Sequence, residues 1–115
     1  MTTTTIGLDR VGAAAILRIG GDVTTASEGE LMDGFASAVD ADATTVILDF
    51  TGMEYMNSGG IGLLVTLLVR AQRAGIRLLA TGLSDHYRQI LSLTRIDEAI
   101  EIHPDEAAAL AAVPA

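Results

Sequence analysis

Cysteine and tryptophan are absent from this 115-residue chain, proline occurs twice, and aromatic residues make up only 3%. Without cysteine there is no disulfide framework, no thiolate metal site and no cysteine nucleophile, and a reducing, cytoplasmic setting is expected. With so few rings, a chain that is 50% hydrophobic must build its core from Leu, Ile, Val, Ala and Met, which favours aliphatic strands covered by helices. Basic residues are scarce as well: 7 against 15 acids, for a net charge of −8. That sign repels phosphate backbones, so nucleic acid and anionic membrane surfaces are poor partners and a neutral or basic protein is a better one. No cationic segment followed by an apolar run opens the chain, so no export signal is expected. The uncharged run from Met56 to Val69 is shorter than the ~20 residues that span a bilayer and is interrupted by Asn57, Ser58 and Thr66, so it is expected to be a buried helix.

The length suits one domain over residues 1–115, large enough to bury roughly two-thirds of its unfolded surface. A polar arm is expected over Met1–Thr5 and a frayed tail from Val113. Ile6 and Leu8 alternate with small or polar neighbours as in an edge strand, Ala14–Ile19 forms a second strand, and Gly20-Gly21-Asp22 marks its exit. Thr25 and Glu28 have capping-box spacing, and Leu31, Phe35, Ala38 and Val39 follow at helical steps up to Asp40. Val46–Phe50 is the apolar run of a central strand buried on both faces, ending at Thr51-Gly52. A helix over Ser58–Ala74, stopped by Gly75, and a strand over Ile76–Ala80 complete a βαβ unit. A third helix starts at Ser84 with Tyr87, Ile90 and Leu91 on one face, Ile100–Ile102 is a last strand, and Pro104 opens a terminal helix. The fold class is therefore α/β: a mixed sheet of about five strands with about four helices packed on it.

Met56-Asn57-Ser58-Gly59-Gly60-Ile61-Gly62 places one hydroxyl where a strand meets a helix. Outward-pointing N–H groups and the helix dipole favour an oxygen or an anion there, so a phosphate on Ser58 would fit. Plain N-capping by the same hydroxyl is the commoner use of such a serine. Along that helix Gly62, Thr66, Arg70 and Arg73 share one side, while Ile61, Leu64, Val65, Leu67, Leu68 and Ala71 form an apolar arc wider than a sheet needs. The surplus is expected to meet neighbouring helices first, and a partner or second copy otherwise; the oligomeric state stays open.

Other chemistry lacks its residues. His86 and His103 show no metal-ligand spacing and are expected to be solvated near helix ends. Ser58 lacks the preceding glycine of a nucleophile elbow, and Gly59-Gly60-Ile61-Gly62 lacks the lysine ending of a P-loop. Neither an enzyme nor a cofactor is expected.

From Ile16 to about Leu110 the chain resembles the STAS domain of bacterial anti-sigma factor antagonists. The resemblance is carried by Val46–Phe50 with Met56–Gly62, by Leu91–Ile100 and by Gly21-Asp22-Val23. Ser58 matches the serine that the family phosphorylates; Asn57 stands for its usual Asp, Gly59 for its second Ser, and Thr24 for an Asp of many members. The resemblance implies a single STAS-like domain that binds an anti-sigma factor serving also as a serine kinase, is switched off by phosphorylation of Ser58 and is reset by a serine phosphatase. Asp22, Val23, Thr24, Met56, Asn57, Ser58, Gly59, Gly60 and Ile61 would form the docking surface. The alternative is an unphosphorylated STAS scaffold or nucleotide-binding module in a signalling or transport assembly.

Overall fold

The computed structural model describes residues 3–113. Strands β1 (Thr5–Val11), β2 (Ala14–Val23), β3 (Thr45–Met56), β4 (Arg77–Thr81) and β5 (Glu101–Ile102) form one sheet in the order β1-β2-β3-β4-β5. β1 runs antiparallel to β2, and the remaining pairs are parallel. The helices are α1 (Glu28–Asp40), α2 (Ser58–Ala74), α3 (Asp85–Leu93) and α4 (Glu106–Ala111). The expected mixed sheet with four helices is therefore what forms.

Strand alternation divides the buried residues between the two faces of the sheet. Leu17, Ile19, Val46, Leu48, Phe50, Leu78 and Ala80 pack with Leu31 and Phe35 of α1, Leu64 and Leu67 of α2 and Leu91 of α3. Ala14, Ile16, Ile47 and Leu79 face the other way and meet Ala109 and Leu110 at α4. The short α4 is tied down at both ends: Arg18 Nη1 donates to Glu106 at 2.7 Å, and Arg77 Nη1 donates to the Ala112 carbonyl at 2.6 Å. Arg18 also pairs with Asp9 at 2.6 Å and Asp49 at 2.9 Å, so Asp49, inside an otherwise apolar strand, has its countercharge on the neighbouring one.

Several local expectations are corrected. β2 and β3 do not end at Gly20-Gly21 and Thr51-Gly52; they continue to Val23 and Met56, paired through register shifts between Arg18 and Gly20 and between Gly21 and Asp22. The glycines mark bulges in a continuing pair, with Gly21 at φ +75. The capping box starts one residue early: Thr24 accepts from Ala26 N–H at 3.2 Å and donates its own N–H to Ser27 Oγ at 2.9 Å, across a 3-10 turn over Thr25–Ser27. Pro104 lies before the cap of α4, which is Asp105, accepting from Ala108 N–H at 2.8 Å. Thr5 opens β1 and Thr4 Oγ1 donates to the Asp22 carbonyl at 2.6 Å, so this end of the expected arm belongs to the fold. The expectations for residues 1–2 and 114–115 lie outside the described residues. His103 is only partly solvated: its side chain is 22% exposed and its Nε2 lies 3.8 Å from Glu101 Oε1.

Glu101 carries a pH signature. Hydrogen bonding to the Arg77 guanidinium, at 2.5 Å from Nη2 to Oε1, holds its carboxyl below the usual range, and the charge attraction adds to this. A depressed folded value stabilises above the unfolded pKa of about 4.3 and ceases to do so as pH falls through the folded value. Urea unfolding of wild type and Glu101→Gln from pH 6 to pH 3 is expected to show a small gap that narrows as pH falls below the unfolded carboxylate range.

Candidate functional site

The end of β3 is fixed from two sides. Met56 N–H donates to the Tyr87 hydroxyl of α3 at 2.9 Å, and Asn57 N–H donates to the Val23 carbonyl of β2 at 3.3 Å. Asn57 is thereby held extended, at φ −99 and ψ −176, and α2 begins at the next residue. The helix cap is Asn57, whose Oδ1 accepts from Gly60 N–H at 3.0 Å. Ser58, expected to cap, occupies the first helical position instead, exposed and unused in the cap. Asn57→Ala is expected to cost about 1 kcal/mol of stability, whereas Asn57→Asp, which keeps the acceptor, is expected to cost less than about 0.5 kcal/mol; chemical denaturation of both checks this.

The two glycines after Ser58 have different neighbours. A Cβ at Gly60 would lie 2.3 Å from the Val23 carbonyl oxygen and 2.8 Å from Met56 Cγ. A Cβ at Gly59 would lie 2.6 Å from Thr25 Cγ2 and 3.2 Å from Thr25 N. The methyl of Thr25 thus occupies the space that a second serine would need after Ser58. Close approach of the 3-10 turn to the start of α2 brings the end of β2 and Thr24 beside Asn57 and the first turn of α2.

The structure sorts the sequence-derived residues into two groups. Asp22, Thr24, Asn57, Ser58, Gly59 and Ile61 retain exposed surface and lie on adjoining segments. Val23 at 0%, Met56 at 4% and the buried Gly60 cannot present themselves to a partner. Met56 is buried because β3 runs on to that residue, so Met56→Glu would test folding and not docking.

Sequence reasoning placed Val65 in the apolar arc without singling it out and left Val69 out of that arc. Val65 and Val69 of α2 are 43% and 39% exposed, so neighbouring helices do not cover the whole apolar arc. With the half-buried Ile61 they follow Ser58 at helical spacing, and Ser58 stands at the head of an apolar stripe along the outer face of α2. Leu63, Leu64, Leu67 and Ala71 take the buried side. The Ser58 hydroxyl thus lies exposed at the N-terminus of α2, with exposed apolar side chains following it along the helix.

A STAS domain family model matches residues 5–109. The chain belongs to the STAS domain family. Among solved structures, this STAS chain is similar to an anti-sigma factor antagonist from Mycobacterium paratuberculosis, with 18% identity, a TM-score of 0.79, and coverage of 96% of this chain and 94% of that one. It is also similar to the phosphorylated form of the Bacillus cell fate determinant SpoIIAA, at 18% identity and a TM-score of 0.71 over 95% of this chain and 100% of that one. A sulfate transporter family protein from Wolinella succinogenes shares the fold equally well, at 20% identity and a TM-score of 0.77 over 90% of this chain and 86% of that one. No helix among the described residues is long and apolar enough to cross a membrane.

Proposed function

We propose that this STAS domain is an anti-sigma factor antagonist whose docking to a serine-kinase anti-sigma factor is switched off by phosphorylation of Ser58 and restored by a serine phosphatase. The observation that carries the reading is the division of labour at the start of α2: Asn57 satisfies the helix, leaving the Ser58 hydroxyl exposed at the head of the Ile61, Val65 and Val69 stripe. An exposed apolar stripe on an acidic chain suits docking to a neutral or basic protein surface; one solved relative is named an anti-sigma factor antagonist, and another was solved in a phosphorylated form. Phosphate adds about −1.5 to −2 charges at pH 7 to a surface that must lose water on docking. This chain supplies the acceptor hydroxyl and the partner supplies the catalytic apparatus.

The transporter relative favours a second reading, in which the domain is an unphosphorylated scaffold in a transport assembly. The discriminating experiment is intact-mass analysis after incubation with ATP and each candidate anti-sigma kinase of the same cell, with Ser58→Ala as the control. Gain of one phosphate in wild type and none in Ser58→Ala is the expected result. No gain with any kinase contradicts the switch and favours the scaffold.

A further inference from the structure

β1 is an edge of the sheet, with no strand beyond it among the described residues. Edge strands present unpaired N–H and C=O groups, and charged side chains pointing outward commonly blunt them. Here both charges of β1, although exposed, are engaged by partners within the chain and not aimed along the open edge. Asp9 pairs with Arg18 on β2 at 2.6 Å, while Arg10 donates from Nε to the Gly12 carbonyl at 2.9 Å and from Nη1 to the Ala41 carbonyl just past α1.

Alongside this edge lies a groove of about 380 Å³ between β1 and α1, lined by Ile6, Leu8, Glu30, Asp33, Gly34 and Ser37. Ile6 and Leu8 stand opposite Ile19 and Leu17 on the helix-covered face, yet Leu8 remains 43% exposed. Gly34 lets α1 approach: a Cβ there would lie 2.9 Å from Ile6 Cγ2. The groove therefore has an apolar floor, an acidic wall on α1 and an open backbone edge beside it.

We infer that this groove is a second docking surface, separate from Ser58, which takes an extended segment of a partner protein carrying alternating apolar and Lys or Arg side chains. The segment adds a strand beside β1 with its Lys or Arg side chains facing α1, their aliphatic stems lying over Ile6 and Leu8 and their charges against Glu30 and Asp33, while its apolar residues take the opposite face, the face of the exposed Val11. Charge decides between a basic partner and a second copy. Each chain carries −8, so self-pairing would bring two acidic walls together, whereas a basic segment neutralises one.

The probe is an acetylated octapeptide of alternating Lys and Val, with an alternating Glu and Val peptide as control, added to the full isotopically labelled chain. The Lys peptide is expected to slow amide exchange in β1 and to bind at least tenfold more weakly to the Glu30→Lys/Asp33→Lys variant, while Val65→Ser binds as wild type. Three outcomes would overturn the inference: absence of binding at millimolar peptide, equal binding of the Glu peptide or the charge-reversed variant, or spectral changes confined to α2. Protection of the β1 amides that rises with protein concentration in the absence of peptide would overturn it in favour of self-association.

Discussion

Gly60→Ala is expected to lower the unfolding free energy by about 3 kcal/mol, toward the upper end of overpacking costs. The added methyl would lie 2.3 Å from the Val23 carbonyl oxygen, which cannot swing aside as a flexible side-chain tip would, because Val23 is a fully buried strand residue that also accepts the Asn57 N–H. Moving α2 away from β2 would strain that bond and the 3-10 turn packed against Gly59. Alanine's better helix propensity returns at most about 1 kcal/mol, so the clash wins. Gly62, two residues along the same helix, is the matched control: a Cβ there meets nothing within 4 Å, and Gly62→Ala is expected to stabilise by roughly 0.5–1 kcal/mol. Urea unfolding of the pair separates contact from propensity. Equal effects of the same sign would mean that the close approach of β2 to α2 is not what demands glycine at position 60.

The second large effect is on binding. Ser58→Asp is expected to weaken docking of the kinase partner by about a hundredfold, or about 2.8 kcal/mol, through one uncompensated charge in a desolvated interface. The fold should respond in the opposite direction. A carboxylate at the first position of α2 lies at the positive end of the helix dipole and is expected to stabilise the free protein by about 0.3–1 kcal/mol. Measuring affinity and stability on the same variant distinguishes a charge-based switch from damage to the fold, since damage would lower both. Val65→Ser, on the exposed stripe, offers an uncharged comparison: it is expected to weaken docking while leaving the buried side of α2 intact.

How far the sequence could be read depended on whether a feature was set locally. The helix over Ser58–Ala74 and its stop at Gly75 were legible, since an apolar run bounded by a left-handed glycine, here at φ 70, is local chemistry. The buried Val46–Leu48 segment was legible for the same reason, as a run of aliphatic residues too short for a helix. The extension of β2 and β3 was not, because Gly20-Gly21 and Thr51-Gly52 read as ends and become bulges only when two strands continue beyond them together. Burial of Met56 followed from that extension and was lost with it.

At the site, the choice between Asn57 and Ser58 as cap was undecidable from preference alone, for both residues rank among the good caps. It is made by the Asn57 N–H bond to Val23, a contact between strands far apart in sequence. The signal that was available is the spacing of Asn57 to Gly60, a side-chain acceptor three residues before a backbone donor. The exposure of Val65 and Val69 was hidden for a different reason. A helical wheel shows how wide an apolar arc is, and the packing of α1 and the sheet decides which part of it stays outside.

The most direct measurement is the dissociation constant of the kinase partner for two homogeneous preparations of this protein, unmodified and phosphorylated at Ser58, by calorimetry at matched ionic strength. Tight binding of the unmodified chain and a loss of at least about a hundredfold on phosphorylation is the result this account predicts. Equal affinity of the two forms would contradict it, and would leave Ser58 as an exposed residue beside a docking surface that the phosphate does not control.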